Sequence, residues 1–190
     1  WGTFLGHFGI VGTYVGFIGS WGVPYGMHVF DLTRSEASSL IMYGLLGSMI
    51  GSPIVSWVTN KIGSIKKVHI SIYVVFIAGW VAMFLTGLHP SFALVVVIFF
   101  IIGLAQGGSN LTFAVIRNSF PAGKVGSVSG FSNMGGFLSA VLLPIVFGNI
   151  LDQFPIENMN LGFHYGFLIP IVFSILGLIG VMLIKEEKKD

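Results

Sequence analysis

The chain has 190 residues, of which 54% are hydrophobic and only 8% are charged, and its mean hydropathy is +0.92. A soluble domain carries about 25% charged residues, so this composition excludes an ordinary soluble protein and predicts one embedded in membrane lipid. The net charge of +2 is better explained by basic loops than by a nucleic-acid partner, and we expect none. Because the chain contains no cysteine, disulfides and cysteine metal sites are excluded.

Apolar runs follow one another along the whole chain, and each is long enough to cross roughly 30 Å of hydrocarbon as a helix. Every backbone polar group must be satisfied within a span, and the alternation that a barrel would need is missing from the sequence. We therefore predict an all-α membrane protein with six transmembrane helices. The predicted spans are 5–28, 37–59, 68–88, 92–116, 127–151 and 162–184.

The basic residues indicate the orientation of the spans. All Lys and Arg residues except Arg34 lie in the segments 60–67 and 117–126 or after residue 184. The alternate loops contain acidic side chains instead. Short cytoplasmic loops carry an excess of Lys and Arg, so both termini are predicted in the cytoplasm.

An internal repeat relates the second predicted span to the fifth. Sliding the sequence by 91 residues aligns the segment 38–55 with the segment 129–146, and a set of Ser, Gly, Pro, Ile and Val residues then coincides. Three helices per copy is an odd number, so the two copies cross in opposite directions. This arrangement is the inverted 3+3 repeat of many secondary transporters. The alternative is a chance match between two spans that are both rich in small and apolar residues.

Aromatic and polar side chains share one face of the first predicted span. Tyr14, Trp21 and Tyr25 recur at helical spacing with His7 and His28, and glycines occupy much of the opposite side. Such glycines allow another helix to approach closely, so we interpret Tyr14 and Trp21 as the lining of a cavity. The alternative is an aromatic belt at the membrane surface, which fits His28 and Tyr25 better.

Two further spans carry uncharged polar groups. Gln106, Asn110 and Phe113 lie on one face of the fourth span, and Asn133 belongs to a small polar surface on the fifth. Amides inside a span are costly unless they bond to another helix or line a wet cavity, and both interpretations remain open. The third and sixth spans contain few polar residues and are predicted to face lipid. The predicted solute contacts are Tyr14, Trp21, Tyr25, Gln106, Asn110, Phe113 and Asn133.

No Asp or Glu lies inside a predicted span, so this chain offers no intramembrane carboxylate for ion coupling. The sequence also lacks a His/Asp/Glu metal cluster, a Ser-His pair and a phosphate-binding loop between strand and helix. We therefore predict no enzymatic activity, no catalytic residue, no metal and no cofactor. Aromatic and amide side chains without a carboxylate favour a neutral or anionic solute over a cation.

The segment after the second span, 51–67, resembles the cytoplasmic loop signature of the major facilitator superfamily. That signature is a glycine, a short apolar stretch, Asp-Arg, a glycine and basic residues. Here Gly51 and Gly63 match the glycines, while Asn60 replaces the acid and Lys61 replaces the arginine. Three other stretches resemble the seventh, tenth and eleventh helices of that family, at 21–38, 117–121 and 130–136.

The resemblance implies that residues 1–190 are the C-terminal six-helix half of a twelve-helix transporter, and that an N-terminal six-helix half is its partner. It implies secondary active transport of a small organic solute by alternating access, with the seventh, eighth, tenth and eleventh helices lining the path. Gly51, Asn60, Lys61 and Gly63 would form the gating loop. Because the chain starts at Trp1, close to hydrophobic sequence, we expect a fragment of a protein of a bacterial inner membrane. The alternative is a half-size, non-transporting module, a scaffold or solute sensor, that forms a homodimer.

Overall fold

The computed structural model describes residues 1–185, which are helical apart from short connections and contain no strand. Within this part of the chain, five helices are long and apolar enough to cross a membrane. We name these helices the second to sixth segments, in chain order. Their bounds are Arg34–Ile62, Ile65–Leu85, Phe92–Ser119, Ala122–Leu151 and Ile156–Leu183.

The first segment, residues 2–30, is helical but interrupted. It consists of Gly2–His7, a π-helical turn at Phe8–Gly12, then Thr13–Ser20 and Gly22–Phe30. Pro24 follows the second break, and proline has no N–H to donate to the carbonyl four residues earlier. The predicted first span, 5–28, lies inside this segment.

Two other segments are also assembled from shorter helices. The fourth runs Phe92–Gln106, then a 3₁₀ turn at Gly107–Asn110, then Leu111–Ser119. The sixth begins with a 3₁₀ turn at Ile156–Asn158 and continues as Met159–Gly166 and Leu168–Leu183.

Local signals explain where the second segment begins and ends. The Thr33 hydroxyl accepts a hydrogen bond from the Glu36 backbone N–H, and the Glu36 carboxylate accepts from the Thr33 N–H. This reciprocal capping box starts the helix. Gly63 ends the helix in the left-handed region, with φ 72°, which a glycine adopts without steric cost. The structured second segment therefore extends three residues beyond the predicted span, 37–59, at each end.

Glycines bring the backbones of the second and fourth segments into direct contact. A Cβ atom added to Gly103 would overlap the carbonyl oxygen of Gly44, and one added to Gly51 would overlap the carbonyl oxygen of Leu104. Gly47 and Gly107 make equivalent contacts across the same interface. Close approach at small residues is how helices pack in lipid, where the hydrophobic effect gives little drive for association.

The first and fifth segments pack in the same way. A Cβ atom on Gly12 would overlap the Gly136 carbonyl oxygen, and one on Gly135 would overlap the Phe4 carbonyl oxygen. The first segment also contacts the sixth, where the Cα of Gly177 lies 2.5 Å from the position of a Cβ on Gly9. The first segment is therefore enclosed on both of these sides.

The third segment is only partly lipid-facing, and the prediction that it faces lipid is wrong for one of its faces. His69, Tyr73, Phe76 and Trp80 are all fully buried, and the Tyr73 hydroxyl donates a hydrogen bond to the Gly6 carbonyl oxygen. Ser174 of the sixth segment is also buried. Hydropathy could not reveal these faces, because a helical bundle and the surrounding lipid are similarly apolar.

Charge is segregated between the two ends of the bundle. The start of the first segment lies beside the fifth, with the Trp1 and Phe131 rings 5.2 Å apart. The start of the third segment lies beside the end of the sixth, with Lys66 Nζ 2.9 Å from the Met182 carbonyl oxygen. All lysines of residues 1–185, together with Arg117, lie towards this end, which we call the basic end. The carboxylates of the described residues lie at the opposite end, at Asp31, Glu36, Asp152 and Glu157.

A single added methyl group tests the glycine interface. We expect Gly103→Ala to lower the thermal unfolding midpoint in detergent, because its Cβ meets backbone that cannot move aside and overpacking costs about 1–3 kcal/mol. Gly130→Ala is the matched control, since nothing lies within 4 Å of its Cβ position, and its midpoint should stay level or rise. Equal midpoints for Gly103→Ala and the unmodified chain would contradict the close contact.

Candidate functional site

The two amides predicted on the fourth segment both bond to the second segment. Ser48 Oγ donates to Gln106 Oε1 at 2.7 Å, and Asn110 Nδ2 donates to Ser52 Oγ at 3.1 Å. The two pairs are one helical turn apart on both helices. Gln106 is half-buried, whereas Asn110 is exposed. Interhelical bonding thus accounts for Gln106, and Asn110 combines such a bond with an accessible side chain.

The same interface continues into a cavity near the basic end whose walls are partly polar and partly apolar. One turn beyond Ser52 and Asn110, a cavity of about 370 Å³ opens between the two segments. Asn60 and Gly63 of the predicted gating loop line this cavity, together with Asn118 of the fourth segment. Asn60 and Gly63 therefore lie along the same helix pair as the predicted amides, further towards the basic end, and we call this side of the interface the polar cleft.

The remaining loop residues have other surroundings. Gly51 is buried against the Leu104 backbone, so it acts through helix packing. Lys61 is exposed, and its Nζ lies 5.1 Å from the centroid of the Trp57 ring. This distance is within the range of a cation–π contact.

A buried histidine lies between two residues that were predicted to contact the solute. The His7 ring is only 3% exposed and lies edge-on to the Phe113 ring, with 5.0 Å between the centroids. The Asn133 side chain lies beside the same imidazole. His7 therefore brings Phe113 and Asn133 together. It was not among the predicted solute contacts, although its position on the stripe of the first segment was a usable signal.

A second buried histidine escaped the sequence prediction altogether. His69 is fully buried, neither of its ring nitrogens has a hydrogen-bond partner, and its ring centroid lies 5.7 Å from that of Tyr73. His69 starts a span whose polar residues are few, and nothing in that pattern indicates which way it faces.

Trp21 connects the first segment to the fifth. Its indole N–H donates to the Pro144 carbonyl oxygen at 3.0 Å. Its ring is stacked on Phe147, with 5.8 Å between the centroids and 20° between the planes. Trp21 is half-buried, so part of its ring remains accessible. Its indole N–H is already bonded to Pro144 and is not available to a solute.

The two predicted tyrosines are each only 2% exposed. The Tyr14 hydroxyl lies against Gly44 and has no hydrogen-bond partner. Tyr25 is enclosed by aromatic rings, including those of Phe163 and Phe167. Neither side chain is accessible to a solute in this conformation, and their role as solute contacts stays a prediction. The aromatic and polar residues on this face of the first segment thus contact four other segments instead of lining one cavity.

The chemistry available in the polar cleft is hydrogen bonding by uncharged groups. In residues 1–185, no group of three or more His, Asp and Glu side chains is placed to hold a metal ion. Hydroxyls and amides can orient a small solute without changing its charge.

A double-mutant cycle measures the bond between the two segments. We expect Ser48→Ala and Gln106→Ala to be coupled by about 0.6 kcal/mol and at most about 1.7 kcal/mol, the range found for hydrogen bonds between membrane helices. Unfolding free energies of the two single variants and the double variant give this number.

The control cycle pairs Gln106→Ala with Ser56→Ala, because Ser56 Oγ donates to a carbonyl of its own helix, that of Ser52. That coupling should be close to zero. A coupling of zero in the Ser48 cycle as well would contradict the interhelical bond.

Comparison with known proteins identifies the family of this chain. Residues 3–190 match the family described as Major Facilitator Superfamily, whereas no match was found among curated proteins. The match covers almost the entire chain, and it agrees with the all-helical structure and its long apolar helices. The chain therefore belongs to the Major Facilitator Superfamily and is an integral membrane protein with a transporter-type function.

Proposed function

We propose that this chain is the C-terminal six-helix half of a secondary active transporter that moves a small organic solute by alternating access. The observation that carries the proposal is that the first and fourth segments, which the shift of 91 residues aligns, are both interrupted helices. Interrupted helices at such positions are the best structural pointer to the solute site of a transporter. In the fourth segment, the break ends at Asn110, an accessible amide.

The glycine contacts support the inverted 3+3 repeat. The same shift of 91 residues places Gly12 on Gly103 and Ser139 on Ser48. Gly12 of the first segment packs against Ser139 of the fifth, and Gly103 of the fourth packs against Ser48 of the second. The two helix pairs thus use related residues in related contacts, which shared composition alone does not explain.

The polar cleft supports the position of the solute path. It runs from the Ser48–Gln106 pair past Asn110 to Asn60 and Asn118 at the basic end. We place solute contacts at Asn110, Gln106, Phe113 and Asn133, with the accessible edge of Trp21. Because the cleft offers amides and hydroxyls and no carboxylate, it favours a neutral or anionic solute.

The N-terminal half of the same transporter is the proposed partner. The fifth segment presents Gly126 and Gly130, one turn apart, and nothing lies within 4 Å of either Cβ position. Small residues at this spacing are typical of a surface against which another helix packs. The second segment also exposes large apolar side chains, including Met49. A second bundle on these surfaces would close the open side of the cleft.

We further propose that the basic end is cytoplasmic, as the excess of Lys and Arg indicates, and that the membrane is a bacterial inner membrane. Asn60, Lys61 and Gly63 would then lie at the cytoplasmic mouth of the cleft. There, movement of one half against the other would change their contacts.

Asn110 tests the site. We expect Asn110→Ala in the full-length protein to reduce uptake roughly 5- to 30-fold, because a hydrogen bond to a substrate contributes roughly 1–2 kcal/mol. The solute is found first, by screening neutral, anionic and cationic metabolites for those that raise the unfolding midpoint through binding to the folded state. Uptake of the metabolite found in this screen into proteoliposomes is then measured.

The control is Asn158→Ala, an exposed amide in the 3₁₀ turn that begins the sixth segment, which should leave uptake unchanged. Wild-type uptake by a well-folded Asn110→Ala variant would remove Asn110 from the site. A screen that yields cations alone would contradict the proposed solute class.

The source locus tests the proposed partner. We expect the reading frame upstream of the Trp1 codon to encode about six further apolar spans. A start codon immediately upstream would instead favour the half-size module. Its homodimer would then be sought by measuring the mass of the protein in lipid nanodiscs.

A further inference from the structure

A second groove lies on a different face of the second segment from the polar cleft. It has a volume of about 260 Å³ and is formed where the second, third and fourth segments meet. Its walls are apolar, with Ile54, Val58 and Val75 among them. The one hydroxyl in the wall belongs to Ser71 and is already bonded to the Lys67 carbonyl oxygen at 3.0 Å.

This groove opens sideways from the bundle. Ile54 is 49% exposed, Ile62 54% and Val75 44%, so its rim lies on the outer surface of membrane-spanning helices. The residues of the polar cleft take no part in it. An apolar groove at this place is suited to a hydrocarbon chain and has no group that would orient a polar solute.

Two lysines flank the groove where it reaches the basic end. Lys61 lies one turn beyond Val58 on the second segment, and Lys67 lies one turn before Ser71 on the third. The Trp57 ring contacts the Lys61 ammonium. The carboxylates of residues 1–185 all lie at the opposite end of the bundle.

We propose that this groove binds one acyl chain of an anionic phospholipid, whose phosphate lies between Lys61 and Lys67. Hydrocarbon in the groove and negative charge at its mouth match the two features of the surface. Basic pockets between membrane helices recognise anionic headgroups in this way. The proposal depends on membrane embedding and on these side chains, and it stands independently of the transported solute.

Quenching of tryptophan fluorescence by brominated lipid tests the site. The purified chain is placed in nanodiscs of phosphatidylcholine that contain a small fraction of either brominated phosphatidylglycerol or brominated phosphatidylcholine. Trp57 is 63% exposed and reports from beside the groove; the signal lost in Trp57→Phe is assigned to it. We expect stronger quenching by the brominated phosphatidylglycerol at equal fraction.

The charge variants give the expected size of the effect. Near an anionic lipid each lysine contributes the equivalent of about a fivefold change in affinity, so Lys61→Gln with Lys67→Gln should reduce the preference for phosphatidylglycerol roughly 25-fold. Lys124→Gln is the matched control, a basic residue at the same end on the fifth segment, and it should retain the preference. An unchanged preference in the double variant would overturn the proposal.

Filling the groove separates this site from general attraction to the basic end. Val75→Phe places a ring in the groove and should reduce the preference with both lysines intact. Val74→Phe, at an exposed neighbouring position outside the groove lining, is the control and should not. Quenching by phosphatidylglycerol that survives in a folded Val75→Phe variant would show headgroup attraction only and would overturn binding in the groove.

Discussion

Close backbone approach through glycine is the constraint on which the rest of this structure depends. In lipid the hydrophobic effect does not draw helices together, so van der Waals contact and interhelical hydrogen bonds must do so. Gly44, Gly47 and Gly103 let the second and fourth segments touch backbone to backbone. Only at that separation can the short side chain of Ser48 reach Gln106. The polar contacts of the cleft are therefore a consequence of the glycine packing.

The helix breaks divide the bundle into parts with different properties. The second and fifth segments are continuous, whereas the first and fourth contain a π-helical and a 3₁₀ turn. Such turns within long helices are frequent at hinges and functional sites. Here each interrupted segment packs against a continuous one. The 3₁₀ turn of the fourth segment lies beside the polar cleft, whereas the π-helical turn of the first packs against the fifth and sixth segments.

The two faces of the second segment line different surfaces. One face carries Ser52 and Asn60 and belongs to the polar cleft, while the other carries Ile54 and Val58 and belongs to the apolar groove. Both surfaces reach the basic end, so Lys61 and its neighbours lie close to the mouth of the cleft and to the mouth of the groove. Lipid bound at the groove would therefore contact the same loop that the family resemblance associates with gating.

The sequence by itself determined the membrane class, the approximate bounds of the helices, the family and the uneven distribution of Lys and Arg among the loops, because each follows from local composition and spacing. It also indicated Asn110 and Asn60 as polar positions. The tertiary structure alone decided that Tyr25 is enclosed by phenylalanines, that Gln106 is paired with Ser48, and that His69 and Tyr73 of the third segment point inward. The physical reason is that core and lipid are equally apolar, so hydropathy cannot distinguish a buried face from a lipid-facing one. Which face is buried depends on contacts between segments that are distant in the sequence.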